Sequence, residues 1–104
     1  MILEKTVEDL LKKHSILEKD LSSRDIDKKQ FAEKSKEYSN LNEIVEDAKK
    51  FLSFKTNETE LEKILNENSS DEELKKMAET ELKDLKKEKK KNEKKLKLFL
   101  LPKD

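Results

Sequence analysis

The sequence predicts an all-α fold, an antiparallel up-down-up three-helix bundle with coiled-coil-like packing, as a single domain over residues 1–104. Three observations carry this prediction. The chain has no glycine and one proline, 61 of its 104 residues are Ala, Glu, Lys, Leu or Arg, and its leucines recur at heptad spacing. Leu, Ile, Val and Phe contribute 27 residues, more than the roughly 20% below which charged chains stay disordered, so we expect a folded domain.

A first helix is expected over about residues 2–21. The spacings of four and three along it are those of a coiled-coil seam, formed by Leu3, Val7, Leu10, His14, Leu17 and Leu21. Residues 22–25 break the pattern with turn-forming types, and Asp27 is the expected N-cap of the next helix. Because His14 occupies a seam position, we expect it to be half-buried and hydrogen-bonded rather than to act as a functional switch.

The second helix, expected over about residues 28–66, is the longest and supplies most of the core. All aromatic residues except Phe99 lie in it. At 1.5 Å per residue it would be about 57 Å long. We expect a kink or short break near residues 39–42, where Asn40 and Glu43 resemble a capping pair, and residues 55–58 are a second place that could interrupt it.

The third helix is expected over about residues 71–100. Ser70 precedes three acids and forms a capping box with them at the favourable end of the helix dipole, and Pro102 ends the helix. Two polar residues, Lys89 and Asn92, fall at seam positions and predict looser packing towards the C-terminal end. Because the links are short, neighbouring helices should be antiparallel, and the turn at residues 66–70 should lie furthest from Asp104.

No catalytic constellation, metal site or cofactor is predicted. The single histidine and the absence of cysteine and glycine exclude a His/Cys metal site, a thiol nucleophile and a glycine-rich phosphate loop. Carboxylates alternate with lysines, which gives no paired acid–base site. Without cysteine, a signal peptide or an apolar run of 18 residues, the chain is expected to be cytoplasmic. These features favour an interaction module over an enzyme.

Two surface features are candidates for binding. Residues 83–97 hold nine lysines and three acids, and the candidate RNA contacts are Lys86, Lys87, Lys90, Lys91 and Lys94. The acids among these lysines, and the lack of aromatic residues in the same segment, instead favour a solvated helix face with no binding role. The polar turn before the third helix is a candidate partner surface, although a turn with no binding role would have the same composition. Its residues are Asn66, Glu67, Asn68, Ser69, Ser70 and Asp71.

The last seven residues, Leu98–Asp104, read Leu-Phe-Leu-Leu-Pro-Lys-Asp. Four large apolar side chains beside a free end would lie exposed, so we expect the chain to be a piece of a longer protein.

The same ending resembles the Leu-Leu-Leu-Pro-Lys-Asp segment that closes the N-terminal domain of the bacterial peptide chain release factor 1 family. Residues 10–14, 31–41 and 77–82 are similar to helical segments of that family in order and spacing. The resemblance covers the whole chain, and its specific parts are the Leu-Pro-Lys-Asp ending and the Lys-Glu-Tyr segment at residues 36–38.

The resemblance implies a role in translation termination at UAA and UAG stop codons. In the family, codon reading and peptidyl-tRNA hydrolysis belong to later domains, the latter to a Gly-Gly-Gln loop that a chain without glycine cannot contain. The N-terminal domain reaches towards the stalk base of the large ribosomal subunit. It is also implicated in contacts with the recycling GTPase release factor and the release factor glutamine methyltransferase.

We therefore expect a monomeric, non-catalytic docking arm whose contact surface lies near residues 66–71. Two other classes of function stay open. A coiled-coil scaffold would dimerise through the heptad seams, and a lysine-rich RNA-binding module would bind through residues 83–97.

Overall fold

Four α-helices make up the computed structural model, which describes residues 2–67 and 71–102. They are α1 (Glu4–Ser22), α2 (Lys28–Asn42), α3 (Val45–Asn66) and α4 (Glu72–Leu100). The described residues contain no strand, which confirms the all-α class. The predicted count of three helices is wrong, because the predicted second helix is divided into α2 and α3. The longest helix is therefore α4, with 29 residues, and not the second one as predicted.

The division between α2 and α3 falls at Glu43 and Ile44, just after the predicted segment at residues 39–42. The backbone N–H groups of Glu43 and Ile44 donate to the carbonyls three residues earlier, at 3.4 and 3.0 Å. Such bonds tighten the chain into a 3₁₀-like turn before the helix resumes. The expected capping role of Asn40 is wrong, since Ile44 is the N-cap of α3 and has no side-chain cap bond. Residues 55–58 lie within the uninterrupted α3.

The helices form two antiparallel hairpins that share the bent α2–α3 element. α1 packs along α2 and the beginning of α3, and α4 packs along α3. An ion pair joins Lys34 to Asp20 between α2 and α1 (2.9 Å), and Lys55 of α3 lies 3.9 Å from Glu4 at the start of α1. The molecule measures 61 × 32 × 19 Å, because the two hairpins overlap along only part of their lengths.

The core lies where α1, the α2–α3 bend and the end of α4 meet. Its buried members are Val7, Leu10, Leu17, Leu41, Ile44, Ala48 and Leu96. Val7, Leu10 and Leu17 occupy the predicted seam of α1, so this seam is covered within the chain. Leu3, also predicted in the seam, is exposed. The predicted loosening of packing near Asn92 is wrong: Asn92 and Leu96 are 4% and 0% exposed.

The start of α2 is capped as predicted, since Asp27 Oδ1 accepts a hydrogen bond from the backbone N–H of Gln30 at 2.8 Å. Replacing Asp27 by alanine should lower the free energy of unfolding by about 1 kcal/mol, because that N–H loses its partner. Urea denaturation measures the effect. Asp25→Ala is the matched control, because the Asp25 side chain is exposed before the helix and should change stability by less than about 0.5 kcal/mol. Equal losses in both variants would contradict the capping role.

Candidate functional site

The α3–α4 hairpin projects beyond the rest of the molecule. α1 begins beside Lys55, and a cleft lined by Ile2, Leu3 and Glu58 marks the limit of its contact with α3. Beyond Glu58, α3 is packed against α4 alone. We call residues 58–67 and 71–82 the hairpin tip. It is the described end of the molecule that lies furthest along α4 from Leu100.

Three of the six residues predicted as the partner surface are described, and all three are exposed at the hairpin tip. Asn66 ends α3, and the backbone N–H of Glu67 donates to the Lys63 carbonyl at 3.1 Å. Asp71 is the N-cap of α4, where its Oδ1 accepts from the backbone N–H of Leu74 at 2.7 Å. Asn68, Ser69 and Ser70 lie outside the described residues. The prediction that Ser70 caps α4 is wrong, because its N-cap is Asp71.

The hairpin tip combines negative charge with exposed apolar side chains. Residues 58–73 carry seven acids and one lysine, a net charge of −6. Met77 and Leu74 are 61% and 43% exposed on the first turns of α4, among those acids. Acids at the start of α4 also interact favourably with the helix dipole, so part of this charge has a local structural role. Sequence reasoning missed Met77 and Leu74 as surface residues, because Leu74 falls in the heptad pattern of the core.

All five lysines predicted as RNA contacts are exposed on α4. Lys87, Lys90 and Lys94 point away from the buried Asn92 and Leu96, and Lys86 and Lys91 flank them on either side. Lys89, at a seam position, is half-buried and lies 3.2 Å from Glu58 of α3. Lys89 is therefore part of the helix packing, whereas the predicted five are free to meet a partner.

Asn92 is the buried polar residue that sequence reasoning placed in a loosened part of the bundle. Its Nδ2 donates to the backbone carbonyl of Asp47 at 2.7 Å and so links α4 to the first turn of α3. Its Oδ1 has no hydrogen-bond partner among the described residues. A small cavity of about 170 Å³ lies beside it, between Lys50, Phe54 and Lys95. The hydrogen bond from Asn92 fixes the register of α3 against α4, and the buried Oδ1 without a partner is destabilising.

His14 has the packing role that its seam position predicts. Its ring stacks on Tyr38 of α2, with centroids 4.6 Å apart and planes 19° from parallel. Its Nε2 donates to Oδ1 of Asn42 at 2.5 Å, and Lys13 beside it forms an ion pair with Glu37. These contacts join the α1–α2 hairpin close to the α2–α3 bend.

The opposite end of α4 is apolar and exposed. Leu98 is 63% exposed, and Leu100 and Leu101 line a cleft of about 350 Å³ together with Ile2 and Leu3 of the α1 end. Three of the four apolar residues that were expected to be uncovered there are exposed, whereas Phe99 is half-buried against the core. No helix in the described ranges is long and apolar enough to cross a membrane. The same ranges hold no cluster of three histidine or acidic side chains that could bind a metal ion.

Comparisons with known proteins agree on one family. Residues 10–104 match the model of the PCRF domain. The whole chain is 64% identical to peptide chain release factor 1 of Pelagibacter ubique and 39% identical to that of Wolbachia pipientis, and 94% of it is 43% identical to that of Agathobacter rectalis. The chain spans 28–29% of the length of these relatives. No solved structure matches it.

Proposed function

Because the chain belongs to the PCRF-domain family of bacterial peptide chain release factors, we propose that it is the ribosome-docking arm of a translation termination factor. In this proposal the hairpin tip contacts the stalk base of the large ribosomal subunit. The other end of α4 joins the parts of the protein that read UAA and UAG and trigger peptidyl-tRNA hydrolysis. The chain itself contributes no catalytic group and works in the cytoplasm.

The observation that carries this proposal is the separation of the two ends of α4. The helix runs without interruption through 29 residues, about 43 Å at 1.5 Å per residue. One of its ends is the hairpin tip, and the other carries the exposed Leu98, Leu100 and Leu101. A single rigid helix can therefore hold a contact at its tip at a fixed distance from whatever follows Pro102.

The composition of the hairpin tip favours a basic protein surface as its ribosomal contact. A net charge of −6 over residues 58–73 opposes the approach of RNA phosphates, whereas a basic protein would be attracted. The exposed Met77 and Leu74 offer apolar area that such a surface can bury. The recycling GTPase release factor and the release factor glutamine methyltransferase are further partners in this proposal.

The first test of the proposal is the gene sequence that follows Asp104. The relatives are more than three times as long as this chain, and the proposal predicts that further domains are encoded there. We expect a Gly-Gly-Gln motif in that stretch. Its absence would contradict a role in peptide release.

The second test measures binding of the chain to ribosomes. Asn66→Lys combined with Glu67→Lys lowers the negative charge of residues 58–73 from −6 to −3, and Glu33→Lys with Asn40→Lys makes the same change in charge on exposed positions of α2. If the tip meets a basic protein surface, the tip variant should bind at least about tenfold more weakly, because half of the net negative charge that attracts that surface is removed. Sedimentation of ribosomes with labelled chain gives both affinities.

The α2 variant should bind as well as the wild-type chain or better, since added positive charge favours attraction to a polyanionic particle. Equal affinities for the two variants would contradict the placement of the contact at the hairpin tip. A scaffold that dimerises through its seams is the competing proposal. We expect a monomer by sedimentation equilibrium, because Val7, Leu10 and Leu17 are already buried within the chain.

A further inference from the structure

We propose that the outward face of α4 binds the phosphate backbone of an RNA duplex through a row of five lysines, which we call the lysine ridge: Lys83, Lys87, Lys90, Lys94 and Lys97. This proposal depends on the proposed function in one respect: a role on the ribosome would bring the chain close to RNA. It concerns a different surface from the hairpin tip and a different chemical class of ligand.

The geometry of α4 aligns the ridge. At 100° per residue, its five lysines lie within about 40° of the direction opposite the buried Asn92. They follow one another every three or four residues, so the row extends about 21 Å along the helix, with one ammonium group per turn. All five are exposed, and none forms an ion pair within the described residues.

The acids of the same segment lie off the ridge. Asp84, Glu88 and Glu93 fall about 80–140° away from its centre. Glu88 borders the cavity beside Asn92, and the half-buried Glu93 borders the cleft that Phe51 and Phe54 line. Glu88 and Glu93, which alternate with lysines in the sequence, are therefore on the flanks of α4 that face α3 and α1, and the exposed Asp84 lies about 100° from the centre of the ridge. A solvated helix face with no binding role would carry both acids and lysines, whereas the ridge carries lysines alone.

This arrangement has a cost for the isolated helix. Lysine pairs three or four residues apart repel each other by about 0.2–0.5 kcal/mol each, and the ridge contains four such consecutive pairs. A polyanion that lies along the ridge removes this repulsion and releases its own counterions. The charge of residues 83–97 is +6, while that of residues 58–73 is −6, so the chain presents separate surfaces of opposite sign.

RNA fits the ridge better than a lipid surface. A membrane-binding amphipathic helix needs a broad apolar face beside its lysines, but the apolar face of α4 is packed against α3. Along residues 83–101, the exposed large apolar side chains are Leu98, Leu100 and Leu101, all at the very end of the helix. With one arginine in the chain and no aromatic residue on the ridge, it offers backbone contact without base reading.

The test is binding of the 104-residue chain to a fluorescent RNA duplex of about 20 base pairs as a function of salt. If five phosphates are neutralised, log K should fall with log salt with a slope of about −4.5, a loss of about 500-fold between 50 and 200 mM. Replacing Lys87, Lys90 and Lys94 together by glutamine should reduce that loss to about 12-fold and weaken binding at 50 mM.

The matched control replaces Lys12, Lys19 and Lys49 by glutamine, which changes net charge equally at exposed positions on α1 and α3. It should keep the wild-type slope. Because glutamine is a good helix former and the substitutions in the ridge remove repulsion, that variant should melt no lower than wild type in circular dichroism, which excludes unfolding as the cause.

The proposal is overturned if the ridge variant keeps the wild-type slope or if the control loses as much affinity. It is also overturned if the chain binds vesicles containing about 30% phosphatidylserine but not the duplex. None of these outcomes bears on the hairpin tip, whose contact is tested by the separate pair of lysine substitutions on ribosomes.

Discussion

Replacing Leu96 by alanine should lower the free energy of unfolding by about 3–5 kcal/mol. Leu96 is fully buried where α4 meets Val7, Leu10 and the α2–α3 bend, so no neighbour can fill its space without moving a helix. A domain of this length has a total stability of about 5–15 kcal/mol, and the substitution should remove a large part of it. Urea denaturation followed by circular dichroism measures the change.

Leu98→Ala is the matched control, two residues further along the same helix. Leu98 is 63% exposed, so its truncation should change stability by less than about 0.5 kcal/mol. A similar loss in both variants would mean that the end of α4 is packed differently from the structure, and the common core of the two hairpins would have to be revised.

Replacing Asn92 by aspartate should cost about 3–5 kcal/mol at neutral pH. A carboxylate cannot donate to the Asp47 carbonyl, and the new charge would be buried beside that carbonyl and near Glu88. Lys50 and Lys95 border the cavity, and their approach could relieve part of the cost. Denaturation at pH 7 measures the loss relative to wild type.

The same variant should show a characteristic pH dependence. Burial raises the folded-state pKa of the new carboxyl above its unfolded value, because the protonated form is neutral and its O–H can donate to the Asp47 carbonyl. The loss relative to wild type should therefore shrink as the pH falls and become constant below the unfolded pKa of about 3.9. A loss independent of pH would contradict burial of this side chain.

Asn92→Leu separates the hydrogen bond from the burial. It removes the bonded amide and the unpaired Oδ1 together, and the adjacent cavity of about 170 Å³ offers room for the larger side chain. We expect a stability within about 1 kcal/mol of wild type. A loss as large as that of Asn92→Asp would show that the hydrogen bond to the Asp47 carbonyl itself stabilises the fold, in addition to setting the register of α3 against α4.

The sequence predicts helix boundaries well where local chemistry sets them. The starts of α2 and α4 lie within one residue of their predicted places. The cap of α2 is the predicted Asp27, whereas the cap of α4 is Asp71, one residue after the predicted Ser70. The bend at Glu43 and Ile44 was expected slightly earlier, near residues 39–42, from an Asn40–Glu43 capping pair that does not form, and it contains neither glycine nor proline. It coincides with the place where Leu96 joins the core, which is a consequence of tertiary packing that local patterns do not contain.

The misjudged residues share a cause: periodicity shows which side of a helix is apolar but not how far its partner helix extends. Leu3 and Leu74 fit the heptad pattern yet lie exposed near the ends of their helices, where no second layer covers them. Asn92 is polar yet buried, because α3 supplies a carbonyl at that depth. In the same way, we can tell which face of α4 each charged residue lies on only when the side of the helix that packs against α3 is known.

The family could be recognised from the sequence, whereas the candidate site could be inferred only from its position. The Leu-Pro-Lys-Asp ending carries the resemblance, which the match to the PCRF domain confirms. The proposed contact at residues 66–71 follows from the antiparallel geometry, and no residue there has chemistry that identifies a ligand. A docking surface is defined by shape and charge that are complementary to those of its partner, and the sequence of one chain contains only half of that information.

The proposed docking role is tested most directly by a peptide-release assay on the longer protein that the proposal predicts, carrying Asn66→Lys and Glu67→Lys at the hairpin tip. Steady-state kinetics on ribosomes programmed with a UAA codon should show KM raised at least about tenfold and kcat unchanged, because a remote contact contributes equally to the ground state and the transition state. The Glu33→Lys and Asn40→Lys variant should match wild type. An unchanged KM for the tip variant, or a fall in kcat at constant KM, would contradict the docking role.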